Sequence, residues 1–330
     1  MENISIKQNL LSEFWASAKL RLVHRFFPLI KNLRGHIKLR SLLSGARLVA
    51  LSSVHPELKY KYLRSNYLFS SLSIRDALAI VHHHYRVFAS VVPVNFFPRL
   101  FDEKPLLWEF QKDGTKFSIR MTFPHDLNRP KRMLDHEGDL ALMFEVDGVP
   151  IYILCMTLVP NQIAKKYFDV KDAKDVIFIG RVQGVPDQFD KVRAATKLLH
   201  DITPARLLIS ATESIAKPFS IETIVGVCNS EQLSKRKDFD ESECLFDYDA
   251  FWTNIGAHAT PSGLFSYQLG VSEKPIEEIQ QKHRSRTLAK RRFRAEVVDT
   301  LGRNFLREIS YPAVSLKDPA LLVHFGIRKS

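Results

Sequence analysis

Two Asp-Gly dipeptides, Asp113-Gly114 and Asp147-Gly148, constrain the fold of this chain more than any other feature. Each lies between short runs rich in β-branched and aromatic residues: Leu106–Phe110 and Thr115–Phe123 flank the first, Leu140–Val146 and Ile151–Leu158 the second. Asp and Gly tolerate the positive φ that a two-residue hairpin turn demands. The pattern therefore predicts two tight hairpins within an antiparallel meander. Val176–Gln183, nearly all apolar over its first half, reads as a further strand near the centre of the sheet.

Helical signals surround this block. Leu10, Leu11, Phe14, Trp15, Ala18 and Leu22 recur at three- and four-residue spacing and share one helical face. Ser73 with Asp76 reads as a helix start, and Pro93 and Pro98 as its stop. Beyond the central strand, Asp187 is expected to cap one helix, and Thr203-Pro204 opens a second with proline where a missing N–H costs nothing. Thr223–Cys228 and Leu264–Leu269 read as strands, and Asp249 as the cap of a short helix carrying Phe251 and Trp252. Pro275 is expected to begin a long helix reaching Leu301. The expected class is α+β: a mixed, largely antiparallel sheet with flanking helices and a basic helical extension at each end. The segments are residues 1–100 as a basic helical region, 101–272 as the α+β core, and 273–330 as a basic helix and tail.

Charge is where composition departs from the average. Forty-eight Lys and Arg against 36 Asp and Glu give +12 over 330 residues. Residues 1–70 hold twelve bases and three acids, whereas residues 100–270 hold 20 bases and 25 acids. A slightly acidic centre is thus flanked by two basic ends, which points to an anionic partner surface. The three cysteines form no CxxC pair, which fits a reducing compartment. The start lacks the pattern of a signal peptide, and the longest apolar stretch, Ile151–Pro160, is too short to cross a bilayer. The expected location is cytoplasmic, peripheral at the inner membrane.

No catalytic motif is written in the sequence, and it names no cofactor. His82-His83-His84 cannot converge on one metal ion from a helix, because consecutive residues point about 100° apart. Arg181 and Gln183 alternate with apolar neighbours at the end of the central strand and share a face, so they mark a candidate cleft. Asp247 and Asp249, two residues apart, are candidate acid/base partners for it. The element order also suits an acetyltransferase-like core. A pyrophosphate loop after the central strand is nevertheless lacking, since Pro186 removes an N–H donor and Asp187 would repel phosphate. The strongest charge feature is Lys282, Arg284, Arg286, Lys290, Arg291 and Arg292, a run without one acid. Lys282, Arg286 and Lys290 stand one turn apart, able to meet a row of phosphates.

Several of these stretches occur together in a known order. Ile179-Gly180-Arg181-Val182-Gln183-Gly184, then Ala195-Thr196-Lys197-Leu198-Leu199-His200 and Pro204, then Gly226-Val227-Cys228-Asn229, resemble the bacterial VirK/YbjX family, DUF535. Asp247-Tyr248-Asp249-Ala250-Phe251-Trp252 and the basic run from Lys282 to Phe293 continue the likeness, which covers residues 40–300. The resemblance implies a Gram-negative bacterial protein linked to virulence, envelope integrity and resistance to cationic antimicrobial peptides. It implies no reaction. Two functions follow as expectations: a factor that meets anionic lipid or an envelope-associated protein, or an acyl- or group-transferring enzyme acting on an envelope component. Nucleic acid is the disfavoured partner, because no recognition module accompanies the charge.

Overall fold

The computed structural model describes residues 27–63, 67–126, 136–170, 174–233, 246–270 and 274–310. A helical turn over residues 27–31 leads into α1 (Leu33–Leu43), followed by α2 (Val49–Val54) and a 3-10 segment, Pro56–Leu63. Next come α3 (Ile74–Val91) and α4 (Phe96–Asp102). Ser73 caps α3 by accepting from the Asp76 N–H, as its spacing predicts, and the helix stops before Pro93. The amphipathic pattern from Leu10 to Leu22 lies outside the described residues.

The meander forms as the turns dictate. Strands β1 (Leu106–Lys112), β2 (Thr115–Thr122), β3 (Leu140–Val146) and β4 (Val149–Val159) pair antiparallel in sequence order. Asp113, Gly114, Asp147 and Gly148 all take positive φ at the two hairpin turns. After α5 (Asn161–Phe168), β5 (Val176–Gly184) pairs antiparallel with β4. Helices α6 (Phe189–Leu198) and α7 (Pro204–Ala216) then carry the chain over to β6 (Thr223–Gly226), which lies parallel to β5. α8 (Tyr248–Asn254), β7 (His258–Ala259), β8 (Phe265–Gln268) and α9 (Gln281–Ile309) complete the described elements. The sheet order is β1-β2-β3-β4-β5-β6-β8-β7. The class is therefore mixed α+β with a mostly antiparallel open sheet.

All seven residues of β3 are buried, so both faces of the sheet's centre are covered. α3 packs on β4, α7 crosses β3 to β5, and α9 lies along α7 and β1, where Phe293 meets Trp108, Phe110 and His200.

Three local expectations are corrected. Asp187 does not cap α6: it sits in the left-handed region at φ 61°, and Gln188 precedes the helix without a side-chain cap. Asp247, not Asp249, caps α8, because its oxygen accepts from the Ala250 N–H. The long basic helix does not begin at Pro275. A short 3-10 turn, Ile276–Glu278, comes first; Ile279 and Gln280 are extended, and α9 runs on to Ile309. Arg284 makes this break tolerable by donating to the carbonyls of Ile279 and Glu277 that it leaves open. α5 and the two-residue β7 carried no sequence signal of their own.

Candidate functional site

The expected cleft lies at the carboxyl ends of the parallel pair. β5 and β6 are paired over Ile177–Ile179 and Ile224–Gly226, and the Val227 N–H adds one more bond to the Ile179 carbonyl. On its other edge β5 carries one extra residue. Cys155 faces Arg181 and Met156 faces Ile179, which leaves Gly180 as a bulge. A Cβ on Gly180 would stand 2.2 Å from the Glu137 carbonyl oxygen. Glycine there lets the segment His136-Glu137-Gly138-Asp139 lie directly against the strand.

That segment takes up the cleft's cation. The Glu137 carboxylate accepts from Arg181 Nη1 at 2.9 Å and from Gln232 Nε2 at 2.7 Å, all three side chains being buried. Beside them, Tyr248 donates to Gln183 Oε1 at 3.4 Å. Trp252 donates to the Val227 carbonyl, with its ring over Gly226. Asp247 accepts from Asn229 Nδ2, and Asp249 from the Asn229 N–H, both at 2.8 Å. Arg181, Gln183, Asp247 and Asp249 thus belong to one neighbourhood, each with an internal partner. A groove of about 430 Å³ lies at the opposite, amino-terminal ends of the same strands, lined by Asp175, Glu222, Thr223 and His258 among others.

Asp139, two residues along, anchors a second buried polar cluster. One oxygen accepts from Lys61 Nζ (2.8 Å) and Tyr85 (3.0 Å), the other from Tyr67 (2.5 Å) and Thr157 (2.9 Å). Burial alone would push the Asp139 carboxyl up; the Lys61 and His84 charges and the hydrogen bonds outweigh it and hold it well below the usual range. The sequence carries one feature that matches this pair of clusters: two acids around a glycine immediately before the largely apolar strand β3.

The three consecutive histidines go separate ways. His83 meets Asp175 at 2.8 Å, His84 accepts from the Leu158 N–H at 3.1 Å, and half-buried His82 lies in the field of Lys38 on α1.

Most of the basic run on α9 is directed at its own chain. Arg286 pairs with Asp201, and Lys290 donates to the Asp201 carbonyl. Lys112 donates to the Leu198 carbonyl, so three cations gather at the carboxyl end of α6, where helix carbonyls are partly negative. Arg291 donates to the Lys274 carbonyl. Lys282 and Arg292 remain exposed on the surface.

A different surface combines charge with apolar area that stands exposed among the described residues. Phe27, Ile30, Leu33 and Ile37 follow one another at three- and four-residue spacing, and they are 66%, 67%, 48% and 57% exposed. The opposite side of α1 is buried through His36, Leu39 and Leu43, with Gly35 allowing close approach to Leu78 on α3. Lys31, Arg34, Lys38 and Arg40 are exposed around the apolar stripe, and no acid occurs between Glu13 and Glu57. Tyr60 extends the face, stacked on His36 at 5.4 Å with Lys59 over its ring.

A family model described as "Protein of unknown function (DUF535)" matches residues 30–303. The chain belongs to the DUF535 family. The match includes α1, both polar clusters and most of α9. Among similar proteins, "Uncharacterized protein YbjX" of Escherichia coli strain K12 is 27% identical over 248 residues, 72% of this chain and 68% of the relative. An "Uncharacterized protein" of Haemophilus influenzae is 32% identical over 95 residues, covering 28% of this chain and 31% of that one. Among the described residues of this DUF535 protein, no helix is long and apolar enough to cross a membrane.

Proposed function

We propose that this DUF535 protein acts as a peripheral factor that seats the α1 face on an anionic phospholipid surface. The carrying observation is the stripe Phe27, Ile30, Leu33 and Ile37, exposed along the helical turn 27–31 and the start of α1, with Lys31, Arg34, Lys38 and Arg40 as the surrounding charges. A helix of this kind lies in the membrane interface, with apolar side chains among the acyl chains and bases at the phosphates. Each large apolar side chain fully buried is worth about 1.5–3 kcal/mol. Each base near an anionic leaflet adds about 1 kcal/mol. Tyr60 and Lys59 suit the headgroup level, where an aromatic ring with a polar tip and a snorkelling base both find partners.

The site of action in this reading is the cytoplasmic side of the inner membrane. It accords with the virulence, envelope-integrity and antimicrobial-peptide roles implied by the family resemblance. Group transfer at the ends of β5 and β6 has weaker support. The carboxyl ends of a parallel strand pair favour it, but Tyr248 and Trp252 pack there and Arg181 is bound to Glu137.

Co-sedimentation with vesicles tests the proposal. Phosphatidylglycerol-containing vesicles should pull down the protein, phosphatidylcholine vesicles should not, and Ile30→Ser with Ile37→Ser should abolish the difference. Negligible binding to both vesicle types overturns the proposal. So does a stripe variant that changes only the oligomeric state, since the stripe would then be a contact between protein chains.

A further inference from the structure

We infer that the α1 face is acid-sensitive: His36 and His82 take up protons when the face meets an anionic surface, so that binding tightens as pH falls. The inference rests on the lipid reading of that face and adds its regulation. Both rings are packed in the same helical layer. His36 lies on the buried side of α1, opposite the stripe, its Nδ1 3.1 Å from the Tyr62 hydroxyl and its ring stacked on half-exposed Tyr60. On the α3 side the close neighbour of this part of α1 is apolar, Leu78 against Gly35. His82 projects from α3 and is only partly covered.

The charged groups acting on these rings share one sign. For His36 they are Arg40 on its own helix and Lys59 on the 3-10 segment; for His82 they are Arg86, Lys38 and His83. The nearby carboxylate of Asp175 is engaged by His83. Burial first, and these cations second, hold both imidazoles below the ordinary 6.5, so both are neutral at pH 7. A layer of lipid phosphates opposes that field and favours the imidazolium. Binding then raises the pKa of each ring, and by linkage protonation strengthens binding by the same factor. Every unit of pKa that the surface restores to one ring returns about tenfold in affinity. The gain develops as pH falls through the bound-state pKa and levels off below the free-state value.

The test uses the full chain and phosphatidylglycerol-rich vesicles at about pH 7.5 and about pH 5.5, pH values that bracket ordinary histidine titration. The expected result is about tenfold tighter binding at the lower pH. That gain should shrink in His36→Gln and in His82→Gln and vanish in the double variant. It should survive in His258→Gln, which alters an exposed histidine on β7. Equal affinity at both pH values, or a gain that persists in the double variant, overturns the inference and leaves the lipid reading standing. Absence of binding at both pH values removes the lipid reading, and the inference with it. Histidine ring titration by NMR on the unaltered protein guards against a variant that fails to fold. Vesicles should raise the pKa of His36 and His82, and unchanged values overturn the inference.

Discussion

Lys61 donates a 2.8 Å hydrogen bond to Asp139 across 78 residues of chain, and neither side chain reaches solvent. Lys61 also donates to the Gly138 carbonyl at 2.6 Å, so its ammonium pins the whole turn into β3. The pair ties the 3-10 segment, which carries Tyr60 on the proposed lipid face, to the centre of the sheet. Such a pair is costly to break from one side, because the remaining charge stays buried without compensation.

Lys61→Met should therefore destabilise the protein by about 3–5 kcal/mol. Urea unfolding monitored by circular dichroism checks this. Asp139 adds a pH dependence of definite sign. Its folded-state pKa lies below the ordinary 3.8, so its contribution is complete above that value and is lost as pH falls further toward the folded-state pKa.

His84 governs a higher pH window. Burial lowers its pKa to about 4, and its Nδ1 must stay unprotonated to accept from the Leu158 N–H. The unfolded chain binds a proton near 6.5 and the folded chain does not, so stability should fall as pH drops from 6.5 toward 4. The loss should be on the order of 3 kcal/mol. Melting temperatures across that range measure it, and the slope should be shallower in His84→Asn than in the unaltered protein.

Gly180→Ala places a methyl group against the Glu137 backbone, where no side chain can swing away. The strand or the 136–139 segment must shift, with the Arg181–Glu137 bond at risk. Overpacking of this kind costs about 1–3 kcal/mol. Gly114→Ala, at an open turn with positive φ, should be milder, since only backbone strain opposes it. A side-by-side thermal melt should rank Gly180→Ala as the more damaging.

Replacing Arg284, Arg286 and Arg291 together by Gln should lower stability only modestly. The Arg286–Asp201 pair is largely exposed, and such pairs are worth about 0–1 kcal/mol. The expected local effect is loosening around residues 274–280, whose carbonyls Arg284 and Arg291 hold. Hydrogen exchange should detect it there. Vesicle binding through α1 should persist in this variant, and its loss would move the anionic contact to α9.

Much of the frame is legible in the sequence, because the signals involved are local. Asp113-Gly114 and Asp147-Gly148 specify hairpins whatever surrounds them. Ser73 and Thr203 cap the helices they precede, since a hydroxyl reaches an N–H three residues away without help from the rest of the fold. The apolar first half of Val176–Gln183 marks a strand inside the sheet, and β5 is buried over its first seven residues. Local competition explains the cap errors: Asp247 and Asp249 offer equivalent carboxylates, and Asn229, a residue of the chain leaving β6, fixes the position of both.

What the sequence determined by itself was the α+β class, the meander, the basic charge excess and the helix starts at Ser73 and Thr203. The partners of each charge were decided only by tertiary structure. Arg181 looks available beside Gln183 until a bulge at Gly180 brings Glu137 against it. The α9 bases look like a phosphate ladder until the turn after α6 places Asp201 under them. Phe27, Ile30, Leu33 and Ile37 stay exposed because α1 buries its other side, through His36, Leu39 and Leu43. Periodicity tells which residues share a face, but only the assembled layers tell which face is covered, because burial is a property of what packs from elsewhere in the chain.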